Sequence, residues 1–505
     1  MTPTATRRPL VVDDILSCAA EAAPNRVALT LGDDALTFAQ LRSLSHRLAN
    51  ALLGWGLRRG DRVAYWADTS LDAALLKFAL GRTAAAFAPL NPTCSEDEAR
   101  VALEYLAPRL LVADPAHAER AESVAKDLGL PLATLGGPGP GASLDQLGAA
   151  ASPTSPPMPL PGEDDVFTIF LTSGSTGRPK GVMVSHRATW LRTCAGNGAN
   201  VTTSGKGQLV MFPLFHMAGW IFVLNAWSAH QPAHLVPRAD AGELLGAIER
   251  YGAGSLYCIP AVWRRILDEK RPYKTNSLEW ALIGTSRVET ELLEEIKERF
   301  PAARTTIGYG STEVGRALCL PDEDLFRKPG SVGLPVPGVR ARIAADGELL
   351  LASGTLMSGY FNLPDETDRA LDDGWYHSGD VAERDDDGYY AITGRKREII
   401  RSGGESIAPV EVEAALADYP GIAEVAAVGV PDADWGEIVC AAVVMADGTA
   451  PPSVEDLRRH IGTRLAAFKH PRRVMVVDRL PRTSATGQVQ RSLLAQQETQ
   501  REVAR

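Results

Sequence analysis

The stretch that most constrains this chain is Leu171-Thr-Ser-Gly-Ser-Thr-Gly-Arg-Pro-Lys-Gly181, set between the apolar runs Val166-Phe-Thr-Ile-Phe-Leu171 and Val182-Met-Val184. Short apolar runs of this kind suit buried strands, so the polar segment reads as a loop carried by a sheet rather than as a Ser/Gly/Thr linker. Gly174 and Gly177 open backbone conformations closed to other residues, which lets successive N–H groups converge on an anion. Thr172, Ser173, Ser175 and Thr176 add hydroxyls, and Lys180 adds a movable positive charge. Together they make a polyphosphate grip. It is not a Walker A loop, which needs Gly-Lys-Ser/Thr where Pro179-Lys180-Gly181 stands here.

The chain's 505 residues exceed what one hydrophobic core serves, so two or more domains are expected. A net charge of -10 argues against nucleic acid as a partner, because phosphate neutralisation needs clustered Lys and Arg. The six cysteines are scattered without a Cys-x-x-Cys pair, which points to a reducing cytoplasm and away from disulfides or structural zinc. Arg7-Arg8 precede only a short apolar stretch before Asp13-Asp14, so no signal peptide is expected. The longest apolar stretches carry Lys77 and Arg82 or are too short for a bilayer, so no membrane span is expected either. The sequence leaves the oligomeric state open.

Phe38, Leu41, Leu44, Leu48 and Leu52 recur at helical spacing, and the pattern stops near Gly54-Trp-Gly56. Gly60-Asp-Arg then leads into Val63-Ala-Tyr, a buried strand, and a helix and an Ala-rich strand follow to Pro89. Repeated strand–helix units predict parallel sheets covered on both faces, an α/β fold. Residues Gly136–Pro161, rich in Gly, Pro, Ala and Ser, read as a connecting segment. From Arg340 to Thr393, Ala345-Asp-Gly, Asp372-Asp-Gly and Asp386-Asp-Gly punctuate short alternating strands, a small β region. Beyond it come a helix over Pro409–Asp418, strands at Val425–Val430 and Ile438–Val444, and a helix over Ser453–Ala466. This compact α+β unit sets a domain boundary near Arg395–Arg397.

Three further motifs carry chemistry. Ile307-Gly-Tyr-Gly-Ser-Thr-Glu313 ends a strand with an aromatic face at Tyr309, a flexible Gly310, the Thr312 hydroxyl and the Glu313 carboxylate. These suit a nucleobase, a phosphate and Mg²⁺ respectively. Gly374-Trp-Tyr-His-Ser-Gly-Asp380 offers a lone acid after a turn, either a ribose acceptor or a turn cap. Gly394-Arg-Lys-Arg-Glu-Ile-Ile-Arg-Ser-Gly-Gly-Glu405 is a basic, glycine-punctuated run across the boundary.

In this order the motifs make the chain resemble the adenylate-forming superfamily: acyl- and aryl-CoA synthetases, adenylation domains and luciferases. The resemblance runs from Leu36-Thr-Phe to Leu494 and extends to Pro213-Leu-Phe-His-Met-Ala-Gly219, Ser358-Gly-Tyr-Phe-Asn362 and Lys469-His-Pro-Arg-Arg473. It implies a large N-terminal domain (1–395) of two βαβ-type sheets plus a small β-barrel, and a smaller mobile α+β domain (396–505). It implies a reaction in two halves: a carboxylic acid attacks the α-phosphorus of ATP to give an acyl-adenylate and pyrophosphate, then a thiol, that of CoA, displaces AMP. Thr172–Lys180 would hold the β- and γ-phosphates, Thr312 the α-phosphate, Glu313 the Mg²⁺, Tyr309 and Gly310 the adenine, and Asp380 and Arg395 the ribose. His216 and Gly284 would lie at the acyl pocket, and Lys469 and Ser402-Gly-Gly-Glu405 would serve CoA. His186 reads as a structural turn residue.

Two departures stand out. Relatives carry Gly-Gly-Ala-Pro-Leu where Gly284-Thr-Ser-Arg-Val288 stands, so Arg287 either recognises a second anionic group on the substrate or faces solvent. The family's Pro-Arg-Thr-x-x-Gly-Lys ends here as Pro481-Arg-Thr-Ser-Ala-Thr-Gly-Gln488, placing a neutral amide where an ammonium bridges two anions. Gln488 is then an engineered replacement, or part of a natural site helped by Arg491 or Lys469, or a sign of an unusual acid. The leading expectation is a cytoplasmic acyl- or aryl-CoA ligase. The alternatives are a diazotase-type enzyme that activates nitrite and passes it to an aryl amine, and a ligase-deficient nucleotide-binding relative.

Overall fold

A computed structural model describes residues 8–157, 159–173, 179–200, 205–402, 405–432, 435–462, 464–483 and 487–503. By compactness the chain forms two units: residues 1–329, 335–340 and 352–376, and residues 330–334, 341–351 and 377–505. The small β region read after Arg340 therefore groups largely with the C-terminal residues.

The first unit holds two large sheets. In one, the strands Ala233–Leu235, Gln208–Val210, Ser255–Cys258, Trp280–Gly284 and Arg304–Ser311 lie side by side in parallel, and Gly315–Leu320 runs back antiparallel beside the last. In the other, Leu132–Thr134, Leu110–Ala113, Arg62–Trp66, Ala86–Pro89 and Val166–Ser173 are parallel neighbours. Val166–Ser173 then pairs antiparallel with Pro179–Ser185, which pairs with the short edge strand Gly359–Tyr360. Parallel strands joined by helices bury both faces, which is why Ala86–Pro89 and Leu110–Ala113 are buried at every position.

Local rules explain the element ends. The helix Phe38–Gly54 opens on a reciprocal cap, Thr37 Oγ1 accepting from Gln40 N at 3.2 Å while Gln40 Oε1 accepts from Thr37 N at 2.8 Å. It buries Phe38, Leu41, Leu48 and Leu52, whereas Leu44 is exposed. The segment read as a plain connector carries a short strand, Ala142–Ser143, and a helix, Leu144–Ala150. Asp145 accepts the backbone N–H groups of Gly136 and Gly137, and buried Leu144 anchors the helix, so the glycines are pinned. Trp220, Trp227 and Trp263 are core residues, each with its indole N–H on a backbone carbonyl.

In the second unit, residues 341–351 and 377–395 build the half-barrel sheet, with Trp375–Arg384 and Tyr390–Arg395 antiparallel and Asp380 opposite Arg395. Beyond it, the long strands Ile422–Asp432 and Gly436–Met445 pair antiparallel, and Arg473–Val476 joins them in parallel. The helix Pro409–Leu416 packs on one face through Val412 and Leu416, and Leu494 of the last helix packs on the other. The helix expected over Ser453–Ala466 covers only Val454–Ile461, because Gly462 takes a φ of +53° and ends it.

Candidate active site

The hairpin expected to grip phosphate is built by Val166–Ser173 and Pro179–Ser185, with Thr172 opposite Lys180. Gly174, Ser175, Thr176 and Gly177 lie outside the described residues, as does the side chain of Ser173. Thr172 Oγ1 donates to the Lys180 carbonyl at 3.3 Å and holds the hairpin's neck. Lys180 Nζ lies 2.5 Å from Glu366 Oε2 and 5.0 Å from the centre of the Tyr360 ring. The ion pair pulls the Glu366 carboxyl below its ordinary range. Gly181 is squeezed: a Cβ there would stand 2.9 Å from Ile169 Cγ2 and 3.2 Å from Phe361 Cβ. Only glycine lets the edge strand approach closely enough for Phe361 N to donate to the Gly181 carbonyl at 2.8 Å. That approach brings Tyr360 beneath the lysine.

Tyr360 also reaches the second motif, its hydroxyl donating to Glu313 Oε1 at 3.1 Å. The turn after Arg304–Ser311 is fixed by an arginine that the sequence did not single out. Arg192, on the helix His186–Asn200, donates to the carbonyls of Thr355 (2.8 Å), Thr312 (3.0 Å) and Glu313 (2.8 Å). Burial pulls the Arg192 guanidinium down to about 10, against the attraction of Glu313, so it stays charged at neutral pH. Gly310 is obligatory, since a Cβ there would sit 1.9 Å from the Gly315 carbonyl oxygen. Lys180, Tyr360 and Glu313 are thus one connected group, with Tyr309 and Thr312 on the same strand and turn as Glu313. An anchored carboxylate is a hard oxygen donor of the kind Mg²⁺ takes, so Glu313 fits that ion. Asp68, Asp114 and His117 also bring three ligand-type atoms together. Asp114, however, accepts from the Asp68 N–H and from both the backbone and the ring of His117, which makes the group a side-chain-closed turn ahead of the helix Ala118–Leu128.

On the expected acyl side, His216 caps the helix Met217–Ser228, its Nδ1 accepting from Ala218 N at 3.2 Å. Burial pulls its imidazole down to about 4, so the ring is neutral at pH 7. It stacks on Phe212, which contacts Phe222 and Tyr257 in turn. Gly284 lies beneath the Tyr257 hydroxyl: a Cβ there would stand 2.2 Å from that oxygen. Arg287 is about half exposed and lies 3.4 Å from Glu289, on the surface. His186 is fully buried, and its Nδ1 accepts from Val12 N at 3.2 Å.

The remaining expected residues belong to the second unit. Asp380 is buried, with Arg395 Nε 3.0 Å from its Oδ1. Beside this pair, Lys396 bridges Asp346 (2.7 Å) and buried Glu348 (2.8 Å), and Glu348 also accepts from Gly379 N at 2.9 Å. Sequence reading missed this clamp because its acids lie a sheet strand away. Lys469 pairs with Glu411. At Gln488, Thr483 N donates to the Gln488 carbonyl at 2.9 Å and Gln488 N donates to Thr483 Oγ1 at 3.1 Å. Arg491 binds Glu413 through Nε and Nη2, and its Nη1 lies 2.8 Å from Glu398. Lys469 and Arg491, the two cations expected to help Gln488, therefore already hold carboxylates.

Comparison with known proteins places these features. The "AMP-binding enzyme" family pattern matches residues 16–361, and the "AMP-binding enzyme C-terminal domain" pattern matches residues 411–486. The chain is 35% identical over 486 residues to a feruloyl-CoA synthase of an Amycolatopsis species, a match covering 92% of this chain and 95% of that protein. It is 32% identical over 531 residues to a methyl-dioxo-octahydroindenyl-propanoyl:CoA ligase of Rhodococcus jostii, covering 97% and 99%. The crystal structure of ATP-bound MatB from Rhodopseudomonas palustris superposes with a TM-score of 0.87 at 29% identity, covering 98% of this chain and 100% of that one. The chain belongs to the AMP-binding enzyme family. It is an adenylate-forming enzyme of the acyl- and aryl-CoA synthetase type.

Proposed function

We propose that this protein activates a carboxylic acid with ATP, forming an acyl-adenylate and pyrophosphate, and then passes the acyl group to the thiol of CoA with release of AMP. One observation carries the reading: Tyr360 ties the Lys180 ammonium to the Glu313 carboxylate in the first unit. A polyphosphate needs a cation and a metal-holding carboxylate in one place, because phosphoryl chemistry is governed by charge neutralisation and alignment. Thr172, Ser173, Gly174, Ser175, Thr176, Gly177 and Lys180 grip the β- and γ-phosphates. Thr312 contacts the α-phosphate, and Tyr309 and Gly310 flank the adenine. Glu313 would hold Mg²⁺, which supplies neutralisation of phosphate charge when bound. Asp380 accepts the ribose hydroxyls with Arg395 beside it. His216 and Gly284 belong to the acyl side, Gln488 to the reacting centre and Lys469 to the CoA half-reaction, while Arg287 stays at the surface beside Glu289.

Residues 1–395 act as the adenylate-forming domain and 396–505 as a mobile domain turning at the boundary. No helix among the described residues is long and apolar enough to cross a membrane. The described cysteines are free, which fits a reducing cytoplasm. Pyrophosphate release over a panel of acids, with and without CoA, tests the reading. Release that no acid stimulates, alongside tight ATP binding, would contradict it. A second reading rests on the neutral Gln488 beside the committed Arg491: activation of nitrite and its transfer to an aryl amine. Pyrophosphate release that requires nitrite, with a diazonium product trapped by a phenol, would favour it.

A further inference from the structure

Trp280–Gly284 and Arg304–Ser311 are parallel neighbours, with Gly284 opposite Gly308. Over this glycine pair lie two donors from different strands. The Tyr257 hydroxyl covers Gly284, 2.2 Å from where its Cβ would stand. The Arg316 guanidinium covers Gly308, its Nε 3.4 Å and its terminal nitrogen 3.5 Å from the corresponding point. Arg316 reaches there because Gly315–Leu320 runs antiparallel to Arg304–Ser311, with a register shift that sets Arg316 opposite Gly310. Burial pushes the Tyr257 phenol up while the Arg316 charge pulls it down, so the two groups share one electrostatic environment. Around them, Phe212 and Phe222 pack against the Tyr257 ring, with centroids 5.5 Å and 4.9 Å away. Arg316 sits on the strand that leaves the Thr312–Glu313 turn.

We infer that Arg316, with Tyr257, recognises a second anionic group on the substrate, in addition to the carboxylate that is activated. This rests on the adenylation reading and sharpens it: the substrate class is a dicarboxylic acid or its equivalent. A planar guanidinium beside a phenol O–H presents converging donors to a carboxylate, and charge-assisted bonds of this kind discriminate strongly against a neutral analogue. The role the sequence offered to Arg287 passes to Arg316, three residues beyond the Ile307–Glu313 motif.

The test uses stable acyl-sulfamoyl adenosines, which bind without turnover. The 4-carboxybenzoyl compound is compared with 4-methylbenzoyl, and the succinyl compound with butanoyl, by calorimetry. Thermal melting checks that each variant is folded. In the unmodified protein the carboxylate-bearing member of each pair binds about 10- to 100-fold more tightly. Arg316→Met abolishes the difference, Arg316→Lys keeps part of it, and Tyr257→Phe reduces it. Equal binding within each pair in the unmodified protein overturns the inference. So does a preference that survives in a folded Arg316→Met, or one that Arg287→Met removes instead. Failure of every analogue to bind overturns the adenylate-site reading, and the inference with it.

Discussion

Two cations, Lys180 in the first unit and Arg491 in the second, are both shielded from solvent and both paired, yet their pairings differ in kind. Lys180 makes one contact to Glu366, and Glu366 has a second partner in Arg369. When Lys180 turns away, no carboxylate is stranded. Arg491 instead holds Glu413 bidentately and Glu398 as well, so its departure would leave two half-buried acids without their shared cation. A compact ammonium on a flexible stem suits the first task, and a planar fork suits the second. The contrast separates a charge that can be lent to a ligand from one that belongs to the fold. It also explains why Gln488 is not simply relieved by its basic neighbour.

The largest expected effect follows from the lent charge. Lys180→Met should lower acid-dependent pyrophosphate release by about 10²–10³, while melting close to the unmodified protein. An unchanged rate would remove Lys180 from the phosphate site. Next comes the missing charge: Gln488→Lys should raise the same rate by about tenfold or more. No change would mean that residue 488 does not meet the reacting anions. Third, Arg491→Met should act on stability, lowering it by about 2–3 kcal/mol in denaturant unfolding. Loss of activity with undiminished stability would blur the comparison and make Arg491 a working cation after all.

The last effect, on stability alone, is a pH dependence. Burial pulls His186, His216 and His234 each down to about 4. The unfolded chain takes up those protons near pH 6.5, so stability should fall as pH drops from about 6.5 to about 4. Asp13, raised to about 6 by burial, works in the opposite direction, as do Asp14 and Asp72, also raised by burial, and His117, raised by its bond to Asp114. Melting temperatures at pH 7 and pH 5 check the sign, and a higher value at pH 5 would contradict it.

Much of the first-unit candidate site was legible because it lies in contiguous motifs: the segment from Thr172 to Lys180 and the strand and turn from Tyr309 to Glu313 can each be read in one pass. The two-sheet architecture was legible for a similar reason, since strand–helix alternation is a local pattern. What joins the motifs was not. Arg192 holds the Glu313 turn through carbonyl oxygens, and any residue type offers a carbonyl, so no side-chain pattern betrays it. Tyr360 belongs to a quoted motif, but its bridge between Lys180 and Glu313 depends on Gly181 letting an edge strand close in. The Asp346–Glu348–Lys396 clamp depends on antiparallel register in the half-barrel, and the early stop of the helix at Gly462 depends on one backbone angle.

The most direct test of the central claim is pyrophosphate release from ATP by the unmodified protein, measured across mono- and dicarboxylic acids with and without CoA. The account predicts release that depends on the acid, with AMP and an acyl-CoA appearing once CoA is present. Tight ATP binding with no acid-stimulated release, in both the unmodified protein and Gln488→Lys, would contradict it.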